Sequence, residues 1–175
     1  MTARTALFAV AVLLLGATSH AWAATDYCAN LNAQVDSWEA YLLSQGAPQR
    51  VDAAGVLAFG KTVTNGNDRA MRAAHKTDVS TIFVVNPAGD FIRVVTSVPV
   101  GVGRSRQPAV GTTLTYGGPA WTALNAGTSY CATVTLFGTN YDSLYRPIFA
   151  GGVVVGALYV GNTPRRRTPP LPSPQ

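Results

Sequence analysis

Val79-Ser80-Thr81-Ile82-Phe83-Val84-Val85, Asn86-Pro87-Ala88-Gly89-Asp90 and Phe91-Ile92-Arg93-Val94-Val95-Thr96-Ser97-Val98, read in succession, decide the fold. Two runs of β-branched and aromatic residues flank residues that break both helix and sheet, so the stretch predicts a β-hairpin. Downstream the pattern returns in Tyr130–Phe137, Ser143–Phe149 and Val153–Val160, the last two strands joined around Gly151-Gly152. Between the hairpin and these strands, Pro119 to Ala126 predicts a helix with proline in its first turn. Upstream the period changes. Tyr27, Leu31, Val35, Trp38 and Leu42 recur every three or four residues, which predicts a helix over Asp26–Gln45 with one buried face. Asp26 is its expected cap, and Gly46 and Pro48 end it. Val56–Phe59 reads as a short strand, Asn65-Gly66-Asn67 as a turn and Asp68–His75 as a short helix. The sum is an α+β domain: a long N-terminal helix, then an antiparallel five-stranded sheet interrupted by one helical crossover.

A chain of 175 residues suits one domain with a sizeable core. Hydrophobic residues at 47% and charged residues at 12% argue against disorder. Arg4, the apolar run Ala6 to Ala17 and Ala21-Trp22-Ala23 have the order of a secretory signal, predicting residues 1–23 as a signal peptide. That run is too short to span about 30 Å of hydrocarbon. The expected product is a periplasmic or secreted domain over residues 24–163, without a transmembrane segment, followed by a basic, proline-rich disordered tail over 164–175. Arg165, Arg166 and Arg167 in that tail carry much of the excess positive charge. The domain itself is nearly neutral, so it offers no basic face for nucleic acid.

The residues available for chemistry are few: Glu39 is the single glutamate, and histidine occurs only at His20 and His75. Neither a zinc-ligand set nor a glutamate pair can be assembled from them. No phosphate-binding loop or nucleophile elbow is present. Neither a catalytic residue, a metal site nor a cofactor is expected. His75 reads as a surface or capping residue. Cys28 and Cys131 are an even pair in an oxidising compartment; they read either as one bridge closing about a hundred residues or as two separate thiols.

Strand alternation sets Phe91, Arg93, Val95 and Ser97 on one face, with Ile92, Val94, Thr96 and Val98 on the other. Arg93 then reads two ways. It is an edge arginine reaching solvent, or its guanidinium grips a carboxylate in a pocket. Tyr141 and Tyr145 likewise read as hydrogen-bond donors in a cavity or as anchors between layers.

Taken together, Thr81-Ile82-Phe83, Asp90 to Ser97, Val110-Gly111-Thr112, Leu136-Phe137-Gly138, Tyr141-x3-Tyr145-x-Pro147-Ile148 and Val155 to Gly161 resemble the Cache superfamily. The resemblance is to its single-module form that fuses Cache type 3 and type 2 features, and it runs from about Val56 to Gly161. It implies a PAS-like antiparallel sheet under a long N-terminal helix, in an extracytoplasmic sensor that binds a small molecule, often a short organic acid. Carried over, Arg93, Thr96 and Ser97 fall in the Arg-x-x-Thr-Ser segment, and Tyr141 and Tyr145 in the closing Tyr-x3-Tyr-x-Pro. These five are the candidate ligand-binding residues. Family members usually sit between membrane helices and signal to a kinase, cyclase or chemotaxis module, whereas here a short tail follows Gly161. The expected role is a free binding module that presents a small acid to a membrane receptor or sensor kinase. The other reading is a structural or interaction domain with a degenerate pocket, in which Gly101–Arg106 is a protein-binding loop.

Overall fold

A computed structural model describes residues 19–51, 55–74 and 76–164. The apolar signal run, His75 and the arginines of the tail lie outside the described residues. Helix α1 spans Ser19–Ser44. It begins before the expected Asp26 because Ala21, Ala23 and Ala24 are strong helix formers with no glycine or proline among them. Asp26 is therefore inside the helix and not its cap, and the expected cleavage position after Ala23 falls in its first turns.

Three short strands follow: β1 (Pro48–Arg50), β2 (Leu57–Phe59) and β3 (Thr62–Val63), paired in that order. Helix α2 is confined to Asp68–Arg72, capped by the Asn67 side chain, which accepts from the Ala70 amide at 3.0 Å. The main hairpin is β4 (Val79–Val85) with β5 (Phe91–Thr96). A small hairpin, β6 (Pro99–Val100) and β7 (Gln107–Pro108), carries the exposed Gly101–Arg106 loop. Helix α3 (Pro119–Asn125) crosses over to β8 (Tyr130–Leu136), β9 (Thr139–Ala150) and β10 (Val153–Asn162).

Five of these strands form one antiparallel sheet in the order β5-β4-β10-β9-β8. Strand β9 starts at Thr139, not at Ser143, because β8 and β9 meet through a two-residue turn. Phe137 and Gly138 both adopt positive φ there, at 48° and 82°. A bulky aromatic rarely occupies that region, so the turn carries none of the usual Asn-Gly signal.

The sheet separates two cores. On one face Leu31, Val35, Trp38 and Leu42 of α1 pack against Ile82, Val84, Leu144 and Leu158. The Trp38 indole donates to the Ala70 carbonyl at 2.7 Å, joining α1 to α2. Arg146 on β9 fixes the same helix by donating to Asp36, to Glu39 at 3.0 Å and to Asn32 at 2.8 Å. Cys28 and Cys131 form a disulfide between α1 and the edge strand β8, with Cα atoms 6.1 Å apart, a separation ordinary for a bridge. The opposite face gathers Phe83, Phe91, Leu124, Tyr141, Tyr145 and Tyr159 beneath α3. This second face holds the candidate site.

Candidate functional site

The site is organised by a bulge. Thr81 pairs with Thr96 and Phe83 with Arg93, so β5 contains one residue more than β4 over this interval. Uniform alternation would place Arg93 and Thr96 on opposite faces. The extra residue turns both toward the aromatic core, and it turns Val95 the other way, against the α1 layer. The sequence-based face assignment is thus corrected from Val95 onward.

Two cross-strand rows result. One runs Thr96, Thr81, Tyr159, Tyr145 and Tyr130 across all five strands. The other runs Arg93, Phe83, Ala157 and Pro147. Ala157 is the small residue of its row. Tyr145 joins the two rows, its ring 4.7 Å from Tyr159 in its own row and 6.3 Å from Phe83 in the other.

Arg93 is 3% exposed. Its Nη1 donates to Thr112 Oγ1 at 2.9 Å and to the Thr113 carbonyl at 3.3 Å. Its Nε is buried and has no acceptor among the described residues. The guanidinium carbon lies 4.8 Å from the Phe83 ring centre and 5.7 Å from that of Phe137, so the group sits between two aromatic faces. Among the described residues no carboxylate lies within ion-pair distance of it. Burial pushes its pKa down, and the electrostatic influence of Tyr145 and Tyr159 acts in the opposite direction. An arginine remains charged under these conditions. The face therefore holds a buried cation with unused donor capacity.

The other candidates divide. Tyr145 and Tyr141 are buried in the same aromatic core. The Thr96 hydroxyl is engaged inside the protein, 2.6 Å from Thr81 Oγ1 and accepting from the Val98 amide at 3.0 Å. Ser97 is exposed, and its hydroxyl accepts from the Ser80 amide at 2.9 Å. It is not brought to Arg93. Tyr159, which is not among the five candidates, sits at the centre of the cluster. Because Ser143 donates its hydroxyl proton to the Tyr141 carbonyl at 3.0 Å, Tyr159 donates to Ser143 across 3.1 Å. Phe83 and Tyr159 could have been found from alternation in their strands. Thr112 and Phe137 reach Arg93 through loop and turn geometry, for which the sequence has no periodic signal.

Next to this cluster, α3 and the β8–β9 hairpin enclose a half-open cleft of about 150 Å³, with Tyr145, Tyr130, Trp121 and Leu136 in its wall. The Trp121 Nε1 is buried and has no acceptor among the described residues. Among the described residues no group of histidine, cysteine, aspartate or glutamate could hold a metal ion, and no helix is long and apolar enough to cross a membrane.

The aromatic core makes one prediction about pH. Burial raises the Tyr145 pKa to about 12, with Arg93 acting in the opposite sense, and burial also raises that of Tyr159. In the unfolded chain these phenols ionise near their ordinary value of about 10. Their burial thus supports the fold fully below that pH, and the support is lost as pH rises through the folded values. Absorbance titration is expected to show these two phenols ionising only together with alkaline unfolding, above pH about 10. Reversible ionisation of every tyrosine near pH 10, with the fold intact, would contradict the packing.

The family model for the Cache 3/Cache 2 fusion domain matches residues 57–167 of the chain. No curated protein and no solved structure matches it. The match covers the five-stranded sheet and α3, and leaves α1 outside.

Proposed function

The chain belongs to the Cache 3/Cache 2 fusion domain family, whose members are sensory and non-catalytic, and from this we propose that it binds a small organic acid through Arg93. One observation carries the reading: among the described residues the buried Arg93 has no carboxylate partner, and one of its donors has no acceptor. A buried cation is stabilised when an anion pairs with it through charge-assisted hydrogen bonds. A ligand carboxylate supplies that anion and two acceptors in the geometry of the guanidinium fork. Tyr141 and Tyr145 close the surrounding core, while Thr96 holds β5 to β4. The domain works outside the cytoplasm, in the periplasm after removal of residues 1–23, and presents its ligand state to a membrane receptor or sensor kinase of the chemotaxis type. Thermal unfolding of the purified protein in a panel of monocarboxylates, dicarboxylates, amino acids and matched uncharged amides tests this. Ligand at a hundredfold excess over Kd stabilises only a fold that binds it, by about 2.7 kcal/mol, and so raises its midpoint. At least one carboxylate is expected to shift the midpoint where its amide does not. A flat response to every acid overturns the assignment.

A further inference from the structure

We propose that the cleft between α3 and the β8–β9 hairpin receives the body of the ligand, and that the ligand is a monocarboxylate bearing one compact ring. The inference rests on the Arg93 reading above and adds the chemistry of the other end. Size is the first argument. The cleft measures about 150 Å³, and an apolar cavity of that volume accommodates a single benzene ring. The second is its lining. Leu114, Pro119, Trp121, Val134 and Leu136 present carbon, and among the described residues no charged side chain contributes to the wall. A second carboxylate placed there would lose its water and gain no cation. Di- and tricarboxylates are thereby disfavoured, and a ring is favoured by the area it buries.

Continuity with Arg93 is the third argument. Tyr145 lines the cleft, and its ring lies 6.3 Å from that of Phe83, over which the Arg93 guanidinium carbon sits at 4.8 Å. Leu136 lines the cleft, and the next residue, Phe137, places its ring 5.7 Å from the guanidinium carbon. One tyrosine and one turn therefore belong to both ends. The fourth is the unpartnered Trp121 Nε1. A hydroxyl or carbonyl oxygen on the far side of the ring would accept from it. Tyr116 packs on Trp121 at 4.5 Å and is exposed, extending the aromatic wall outward.

Calorimetry on the full chain with acetate, malate, phenylacetate and para-hydroxyphenylacetate tests the assignment. Phenylacetate is expected to bind at least about tenfold tighter than acetate or malate, because its ring leaves water. The para-hydroxyl should tighten binding further. Ala120→Phe, which fills the cleft, should remove phenylacetate binding and spare acetate. Trp121→Phe keeps the ring and removes the donor, so it should erase the advantage of the para-hydroxyl; it also serves if Ala120→Phe does not fold. Acetate or malate binding as tightly as phenylacetate overturns this inference and leaves the Arg93 reading in place. So does phenylacetate binding unchanged in a folded Ala120→Phe protein. Failure of all four acids overturns the ring assignment, and the wider panel then decides the Arg93 reading separately.

Discussion

Removing the Cys28–Cys131 bridge is expected to lower the stability of the domain by about 4–5 kcal/mol in the chain-entropy model. The bridge joins residues 103 apart in sequence, so it removes a large part of the freedom of the unfolded chain. Its native-state role is local and complementary. It ties the start of the described face of α1 to β8, the edge strand farthest from β5, while Arg146 and Trp38 hold the middle of the helix. Those contacts persist in the reduced protein, so α1 should remain docked in the native state. Denaturant unfolding of the parent, the reduced parent and the Cys28→Ala/Cys131→Ala variant is the measurement. Both altered forms should unfold at lower denaturant with a steeper slope, since a chain without the bridge exposes more surface when unfolded. A loss below about 1 kcal/mol in both would show that the model overstates the freedom of the unfolded chain.

Much of this architecture is legible in the sequence because it depends on periodicity. The face of α1 follows from Leu31, Val35, Trp38 and Leu42, and β4 begins and ends where its β-branched run does. The helix of the crossover is marked by Pro119. What escapes periodicity is of two kinds. The first is a change of register. One extra residue in β5 reverses the face of everything after it, and nothing in Val94-Val95-Thr96 distinguishes a bulge from a continuous strand. The second is contact between distant segments. Thr112 meets Arg93 because the segment 109–114 runs along the outer edge of β5, with Arg93 N–H donating to the Thr112 carbonyl at 3.0 Å and Leu114 N–H to the Phe91 carbonyl at 2.9 Å. Phe137 meets it because a turn with two positive φ values directs the hairpin tip there. The residues around Arg93 are therefore half visible: those whose position follows from a strand are readable, and those delivered by turns are not. The family resemblance located Arg93 and Thr96 together, which alternation alone would have separated.

Arg93→Met should separate binding from folding more sharply than any other single change. The substitution keeps an unbranched apolar stem about as long as the arginine's methylenes and Nε, and removes the charged guanidinium end. Truncating one partner of a buried, hydrogen-bonded charge pair weakens binding by roughly 2–5 kcal/mol, so the best carboxylate of the panel should lose its thermal shift. The unliganded fold should behave differently. Its guanidinium is desolvated with no counter-charge among the described residues, which costs free energy that a methionine does not incur. The ties between β5 and the 109–114 segment include backbone bonds, Arg93 N–H to Thr112 and Gly111 N–H to the Arg93 carbonyl at 2.9 Å, and any residue at this position retains them. What is lost is the Nη1 contact with Thr112 and Thr113 and the packing on Phe83 and Phe137. A thioether between two aromatic rings replaces much of the latter. The midpoint of unliganded Arg93→Met is thus expected to equal or exceed that of the parent, while its affinity for the acid disappears. If the variant binds the acid as tightly as the parent, Arg93 is not the anchor. If it unfolds instead, the guanidinium is a structural tie between β5, the loop and the hairpin tip, and the cation was placed there for the fold.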